Sequence, residues 1–392
     1  MNTREIKKNI HWMGAIDWDR RLFDSLIPLP DGTSYNAYLI QGSERTALLD
    51  TVDPPMADQL MQQLATVPTL DYVISHHAEQ DHSGAIPQVL ERFPQAKVVA
   101  TPKAKPILMD ALGIPEEAFV TVADGETLSL GDKTLRFVHT PWVHWPETMV
   151  TFLEEDHILF SCDFYGSHIA TSELYVRDPG RVYEAAKRYF AEIMMPFRHI
   201  IKKNIDKLAA YDIQMIAPSH GQIYDEPALI VDAYKEWVTG PCHNVVVVPY
   251  VSMHGSTYQM VNHFTSALVE QGVLVEPYNL AVTDIGKLAM ALVDAGTIVV
   301  GAPTVLAGPH PLAAYATFLA NALRPKAKFV SIIGSYAWGG LMVETLAGMV
   351  SNLKVEVLEP VLCKGAPSQA DIEALKQLAA IIAQKHRENG FV

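Results

Sequence analysis

The rhythm of apolar residues changes near Val238-Thr-Gly-Pro-Cys242, and this change constrains the fold more than any other feature of the sequence. Beyond it, residues 245–249 (VVVVP) form a continuous apolar run, the pattern of a parallel strand buried on both faces. Helical spacing follows at 258–271, a strand at 274–278, a helix around 285–295, a strand at 297–300, a helix around 312–323, a strand at 328–334 and a helix at 341–352. Strand and helix alternating at this spacing predict a doubly wound parallel sheet. Before the change, short β-like runs at 35–40, 46–50, 72–75, 134–139, 149–153 and 158–161 alternate with turns. Helical spacing there is confined to 55–64, 86–92 and 181–194, which suggests a layered α/β sandwich. Two domains are expected, 1–241 and 242–392, in keeping with about 100–200 residues per domain.

Composition narrows the function. Lys+Arg 30 against Asp+Glu 44 leaves a net charge of −14, which repels nucleic acid and anionic membranes. Three cysteines, none in a CxxC pair, exclude a disulfide framework, a four-thiolate zinc site and a thiolate-held iron–sulfur cluster. The first residues, MNTREIKKNIHWMGAIDWD, have no continuous apolar core, and no run of eighteen apolar residues occurs. A cytoplasmic protein with no membrane partner is expected.

The densest chemistry follows the strand at 72–75, in His76-His77-Ala-Glu79-Gln-Asp81-His82-Ser-Gly84. Four potential metal ligands, His77, Glu79, Asp81 and His82, fall within six residues on a loop expected to precede a helix starting near Ala85. A polar helix cap explains such a loop less well, since it gains nothing from clustering imidazoles with carboxylates. His144 (PWVHWP), Asp163 (SCDFYG) and His220 (APSHG) lie farther along, the last two at strand ends with a glycine close behind. A lone histidine is most often a structural hydrogen-bond partner; the order of these seven residues is what carries weight.

In the second domain, Ser252, Met253, His254, Gly255, Ser256 and Thr257 follow the VVVVP strand and open a helix. Free N–H groups at a helix start, with uncharged hydroxyls, suit the phosphate of FMN. The loop lacks both the GKS/GKT ending of a nucleotide-hydrolysing loop and GxGxxG. Two further loops end later strands: Pro303 and Thr304 with Gly308, then Ser335, Tyr336, Ala337, Trp338 and Gly339 within GSYAWGG. Tyr336 and Trp338 are placed to flank a flavin ring, and the three loops in this order resemble flavodoxin.

HxExDH, a histidine about sixty residues on, an aspartate nineteen beyond and a histidine about sixty after that resemble the metallo-β-lactamase superfamily, with Glu79 where the second histidine of HxHxDH usually stands. The superfamily pattern implies one metal on His77, Glu79 and His144 and another on Asp81, His82 and His220, bridged by Asp163. Two histidines and one terminal carboxylate per metal favour iron over the nitrogen-rich set usual for hydrolytic zinc. The αβ/βα sandwich followed by a flavodoxin-like sheet resembles the flavodiiron proteins. So do residues 14–18 (GAIDW), 33–38 (TSYNAY), 144–146 (HWP) and 334–340 (GSYAWGG). That resemblance implies one FMN and two iron ions, bridged by Asp163 and an oxo or hydroxo group. It implies reduction of O2 to water, NO to N2O, or both, with electrons from an external donor such as rubredoxin or a reduced deazaflavin. A head-to-tail homodimer or dimer of dimers is also implied, with FMN of one subunit near the metals of the other. Two departures stand out: Asp24 follows Phe23 where many members carry histidine, and Glu147 stands where aspartate is common. The competing readings are a dizinc hydrolase fused to a flavodoxin domain and an electron-carrying flavoprotein.

Overall fold

The computed structural model describes residues 2–391. They divide into two compact units, one running to Tyr189 and resuming over Phe197–Val238, the other comprising Phe190–Pro196 and the chain from Thr239 onward.

The first unit is built on two sheets. One has seven strands in the order Arg4–Lys7, Ile10–Trp12, Tyr38–Gln41, Thr46–Leu49, Tyr72–Ile74, Lys97–Ala100 and Phe119–Thr121. Its first pairings are antiparallel, and from Thr46–Leu49 onward they are parallel. The other runs Thr127–Ser129, Thr134–His139, Met149–Leu153, Ile158–Cys162 and Met215–Pro218, with only the last pair parallel. Strand residues alternate between two cores. Tyr38, Ile40, Leu49, Ile74 and Val99 meet Leu135, Phe137, Met149, Ile158 and Phe160 between the sheets. Leu39, Leu48, Val73 and Val98 face a second core shared with the helices Ala57–Leu64, Ile86–Arg92 and Ala104–Leu112. Truncating the fully buried Phe137 to alanine is expected to cost about 3–5 kcal/mol.

The strand expected at 35–40 is two strands in different sheets: Thr33–Tyr35 pairs with Ala15–Asp17, and Tyr38–Gln41 joins the seven-stranded sheet. Asn36 causes the break. Its side-chain amide donates to the carbonyls of Pro218 and Gly221 at 2.8 Å, and its own carbonyl accepts from Trp12 Nε1 at 2.8 Å. The residue is therefore committed to tying the sheets together instead of continuing a ladder. The expected loop at 76–84 also differs, because Gln80–Ser83 is already a helical turn, so Asp81 and His82 project from a short helix.

The second unit is a sheet with parallel central strands in the order Leu274–Asn279, His243–Tyr250, Ala295–Val305 and Phe329–Tyr336, edged by Glu356–Val357 and Val361–Lys364, with the short Gly308–Pro309 antiparallel to the end of Ala295–Val305. Helices Ser256–Glu270 and Gln369–Glu388 cover one face, where Met260, Phe264, Leu375 and Ile382 pack on Val246, Val248 and Ile333. Leu288, Leu292 and Ala320, from helices Ile285–Leu292 and Pro311–Leu323, meet Ile298, Val300 and Val330 on the other. This is the doubly wound, flavodoxin-like arrangement. Residues 301–304, read as a loop, instead extend the strand Ala295–Val305, paired as far as Pro303↔Ser335. The helix expected at 341–352 is confined to Met342–Gly348. Among the described residues no helix is long and apolar enough to cross a membrane.

Candidate functional site

Strands of the first unit deliver the expected ligands to one place. His76 and His77 follow Tyr72–Ile74, His144 follows Thr134–His139, Asp163 follows Ile158–Cys162 and His220 follows Met215–Pro218. His77, Glu79, His144 and Asp163 form one group whose ligand atoms lie within 4.8 Å of one another, and Asp81, His82 and His220 form a second.

Asp163 stands between them. Its Oδ2 is 3.6 Å from His77 Nε2 and 3.4 Å from His144 Nε2, while its Oδ1 is 3.0 Å from His82 Nε2 and 3.4 Å from His220 Nε2. Glu79 Oε2 lies 3.0 and 3.1 Å from His77 and His144 Nε2, and Asp81 Oδ2 lies 3.3 and 3.1 Å from His82 and His220 Nε2. Both Asp163 oxygens and Asp81 Oδ1 are buried without a hydrogen bond. Buried anionic oxygens without donors are costly, and imidazole nitrogens aimed at them out of hydrogen-bonding geometry leave a space that suits cations. The donor set fits two metal ions.

The nitrogens turned away from this centre are held from behind, which orients the rings. His77 Nδ1 donates to Glu147 Oε1 at 2.7 Å, His220 Nδ1 donates to the Ser34 carbonyl at 2.7 Å, and His82 Nδ1 is 3.9 Å from Cys162 Sγ. Behind the loop, Asp50 accepts from the His76 backbone N–H, His76 Nδ1 and Ser219 Oγ, pinning two ligand-bearing segments together. Asp24, Asp50, Trp142, Cys162 and Tyr165 all adopt positive φ, between 50° and 69°, a cluster of local strain around the centre.

Charge is strongly coupled here. Burial opposes protonation of His144 and His220, but the facing carboxylates of Asp163 and of Glu79 or Asp81 outweigh it and raise them to about 9 and about 10. Burial favours a protonated Asp163, yet His82, His144 and His220 hold it well below the ordinary carboxylate range. Asp24 sits exposed at the rim. Partial burial, then the charges of Glu79 and Asp81 and a hydrogen bond with Glu79, raise its pKa.

His168 escaped the sequence reading. It is buried, its ring lies 4.9 Å from that of His220, Thr33 Oγ1 lies 2.9 Å from its Nδ1, and its Nε2 has no partner. Burial and then His220 hold it well below the usual histidine value, so it is neutral. Its place five residues after Asp163 was the available signal, but nothing local distinguishes it from a packing histidine.

In the second unit a cavity of about 280 Å³ opens at the carboxyl ends of the strands. It is lined by Ser252, Met253, His254, Ser256, Thr257, Pro303, Thr304, Ser335, Tyr336, Ala337 and Trp338, and by Gly365, which was not expected. Gly255, Gly308 and Gly339 lie off this lining. Gly255 caps the helix Ser256–Glu270 at φ 90°, with open space where a side chain would stand. Thr257 Oγ1 and Ser335 Oγ, 2.9 Å apart, join two of the loops. Trp338 is 74% exposed and Met253 50%, so neither serves the core. The open helix start and flanking aromatic side chains fit a flat, phosphate-bearing cofactor.

Residues 33–221 match the family described as ODP family beta lactamase. The chain is 35% identical to coenzyme F420H(2) oxidase of Methanothermobacter marburgensis, covering 97% of this chain and 98% of that protein. It is 34% identical to nitric oxide reductase of Moorella thermoacetica, with the same coverage of both. The solved rubredoxin oxygen:oxidoreductase of Desulfovibrio gigas superimposes with a TM-score of 0.95 at 31% identity over 99% of each chain. The flavodiiron protein of Giardia intestinalis does so at 0.91 and 25% identity, covering 99% of this chain and 97% of that one. The chain belongs to the flavodiiron proteins. Within that family, the αβ/βα sandwich and the flavodoxin-like sheet are the expected pair of folds.

Proposed function

We propose that this flavodiiron protein is an FMN-dependent non-haem diiron reductase that reduces dioxygen to water, nitric oxide to nitrous oxide, or both. The observation that carries this reading is Asp163, a buried carboxylate presenting one donorless oxygen to each group of imidazoles. His77, Glu79 and His144 would hold one iron and Asp81, His82 and His220 the other, with Asp163 and an oxo or hydroxo group between. This oxygen-rich set suits iron. When bound, the iron pair supplies two adjacent redox centres and FMN supplies one-electron traffic to them.

The chain's own residues orient and exclude. Glu147 fixes the His77 ring, the Ser34 carbonyl fixes His220, and neutral His168 walls the centre without adding charge. Asp24, with its raised pKa, is the rim group able to hold a proton beside Glu79. In the second unit the start of Ser256–Glu270 would take the FMN phosphate, with Tyr336 and Trp338 beside the ring. Electrons would come from an external donor, rubredoxin or a reduced deazaflavin, by analogy with the names of two relatives. A cytoplasmic head-to-tail homodimer, or dimer of dimers, completes the proposal.

The dizinc hydrolase is the weaker reading, because relatives matched along their whole length carry oxidase and reductase names. The test is anaerobic reduction of iron-quantified protein, followed by O2 and NO consumption. About two irons and one flavin per chain with gas turnover are expected; two zincs without turnover sink the proposal.

A further inference from the structure

A series of aromatic side chains leads from the residue beside Asp163 to the surface. Phe164, the residue after Asp163, stacks on Tyr165 with ring centroids 4.0 Å apart and an interplanar angle of 11°. Tyr165 lies 4.9 Å from Tyr234, Tyr234 lies 5.3 Å from Trp237, and Trp237 lies 5.3 Å from Tyr183. Trp237 Nε1 donates to the Tyr183 hydroxyl at 3.1 Å. Tyr165, Tyr234 and Trp237 are at most 2% exposed, whereas Tyr183 is 39% exposed.

Packing alone does not ask for this composition. A buried phenol or indole carries a polar group that must be satisfied, and phenylalanine would fill similar space without that cost. The series is also directional in what it can carry. Tyrosine and tryptophan give up an electron readily and accept one only at extreme potentials, so the path suits oxidising equivalents leaving the centre, not electrons arriving from a donor. Tyr165 and Tyr234 are enclosed, which makes them points of transit. Tyr183 alone reaches water, where a phenolic proton can leave.

We propose that Tyr165, Tyr234, Trp237 and Tyr183 form a relay that drains oxidising equivalents from the metal centre to the surface, protecting the ligand histidines when dioxygen meets a centre short of electrons. The proposal rests on the reductase reading above. The electrons balance as follows. Dioxygen needs four electrons and four protons to become two waters, and a ferrous pair becoming ferric gives two. With the flavin oxidised, each missing electron comes from Tyr183, which becomes a neutral tyrosyl radical and releases its proton to water. The electron passes inward through Trp237, Tyr234 and Tyr165, and a one-electron reductant of the thiol or ascorbate class restores Tyr183 before the next.

The test uses the holoprotein with iron content and gas turnover measured first, since absent iron or turnover would overturn the reductase reading itself. The diferrous, flavin-oxidised protein is mixed with dioxygen, freeze-quenched for electron paramagnetic resonance, and mapped for oxygen adducts by mass spectrometry. A tyrosyl radical abolished by Tyr183→Phe, with a tryptophanyl radical in its place, is expected. Trp237→Phe should remove the tryptophanyl signal, strand the oxidising equivalents on the metal side and raise adducts on His220 and the buried tyrosines severalfold, with turnover under full reduction unchanged. Tyr183→Phe keeps the test valid should Trp237→Phe fold poorly, because the Tyr183 side chain is partly exposed. In iron-replete, fully active protein, an unchanged radical in Tyr183→Phe, or no radical with identical adduct maps, overturns the relay.

Discussion

Glu147 Oε1 lies 2.7 Å from His77 Nδ1, and the opposite nitrogen of that ring faces Glu79 and Asp163 at 3.0 and 3.6 Å. A carboxylate only accepts, so the pairing places the ring proton on Nδ1 and leaves the Nε2 lone pair for a metal. Glu147 thus acts on the centre without touching it.

Replacing Glu147 with glutamine keeps the shape and removes the charge that makes His77 a strong donor. Metal affinity should fall about 10–100-fold, measured by chelator competition, while circular dichroism stays native. Unchanged affinity would show that the pairing is incidental.

The metal-free protein should lose stability as pH rises. His144 and His220 have folded values of about 9 and about 10 against an ordinary 6.5. Their contribution is fully present below about 6.5, where both states are protonated, and disappears as pH climbs through the folded values. The melting temperature of chelated protein should fall by about 5 °C or more between pH 6.5 and pH 10. Because metal must displace these protons, loading should release them and tighten with pH over the same interval.

Acid should act on the second unit through His386, whose ring is bonded to Thr297 Oγ1 at 2.7 Å and Asn244 Oδ1 at 2.9 Å. Burial lowers it to about 4, so the unfolded chain takes up the proton first as pH drops below 6.5. Stability is then lost as pH falls from 6.5 through 4, by about 2 kcal/mol. Urea titrations at pH 7 and pH 4.5 on the wild type and His386→Gln check this: the variant should show a smaller acid loss.

Trp338→Ala should leave the melting temperature of flavin-free protein unchanged, since an exposed substitution away from packing moves stability by about 0.5 kcal/mol or less. FMN affinity should fall about tenfold if the indole stacks on the ring, a contact worth about 1 kcal/mol or more. Fluorescence titration with FMN gives both the affinity and the altered flavin environment.

The sequence carried much of this protein in local pattern. The VVVVP run announced a doubly buried strand because a parallel strand covered on both faces has no polar side to show. HxExDH pointed to a candidate metal loop because four potential ligands within six residues have little other use. Local pattern failed where partners are distant. Residues 301–304 look like a loop, with glycine and proline breaking the run, but the neighbouring Phe329–Tyr336 ladder holds them extended. Asn36 looks like one residue of a strand, yet its bonds to Pro218 and Gly221, over 180 positions away, end that strand.

What the sequence by itself supplied was the order of the seven candidate ligands and the two layered folds, because periodicity and spacing are written in neighbouring residues. Tertiary structure alone decided which oxygen of Asp163 faces which histidines, that Glu147 stands behind His77, that Asp24 meets Glu79, and that His168 lies against His220. Tertiary structure alone also lined up Tyr165, Tyr234, Trp237 and Tyr183. Each of these relations joins side chains from separate segments, and an angle or distance between them exists only after the sheets have packed.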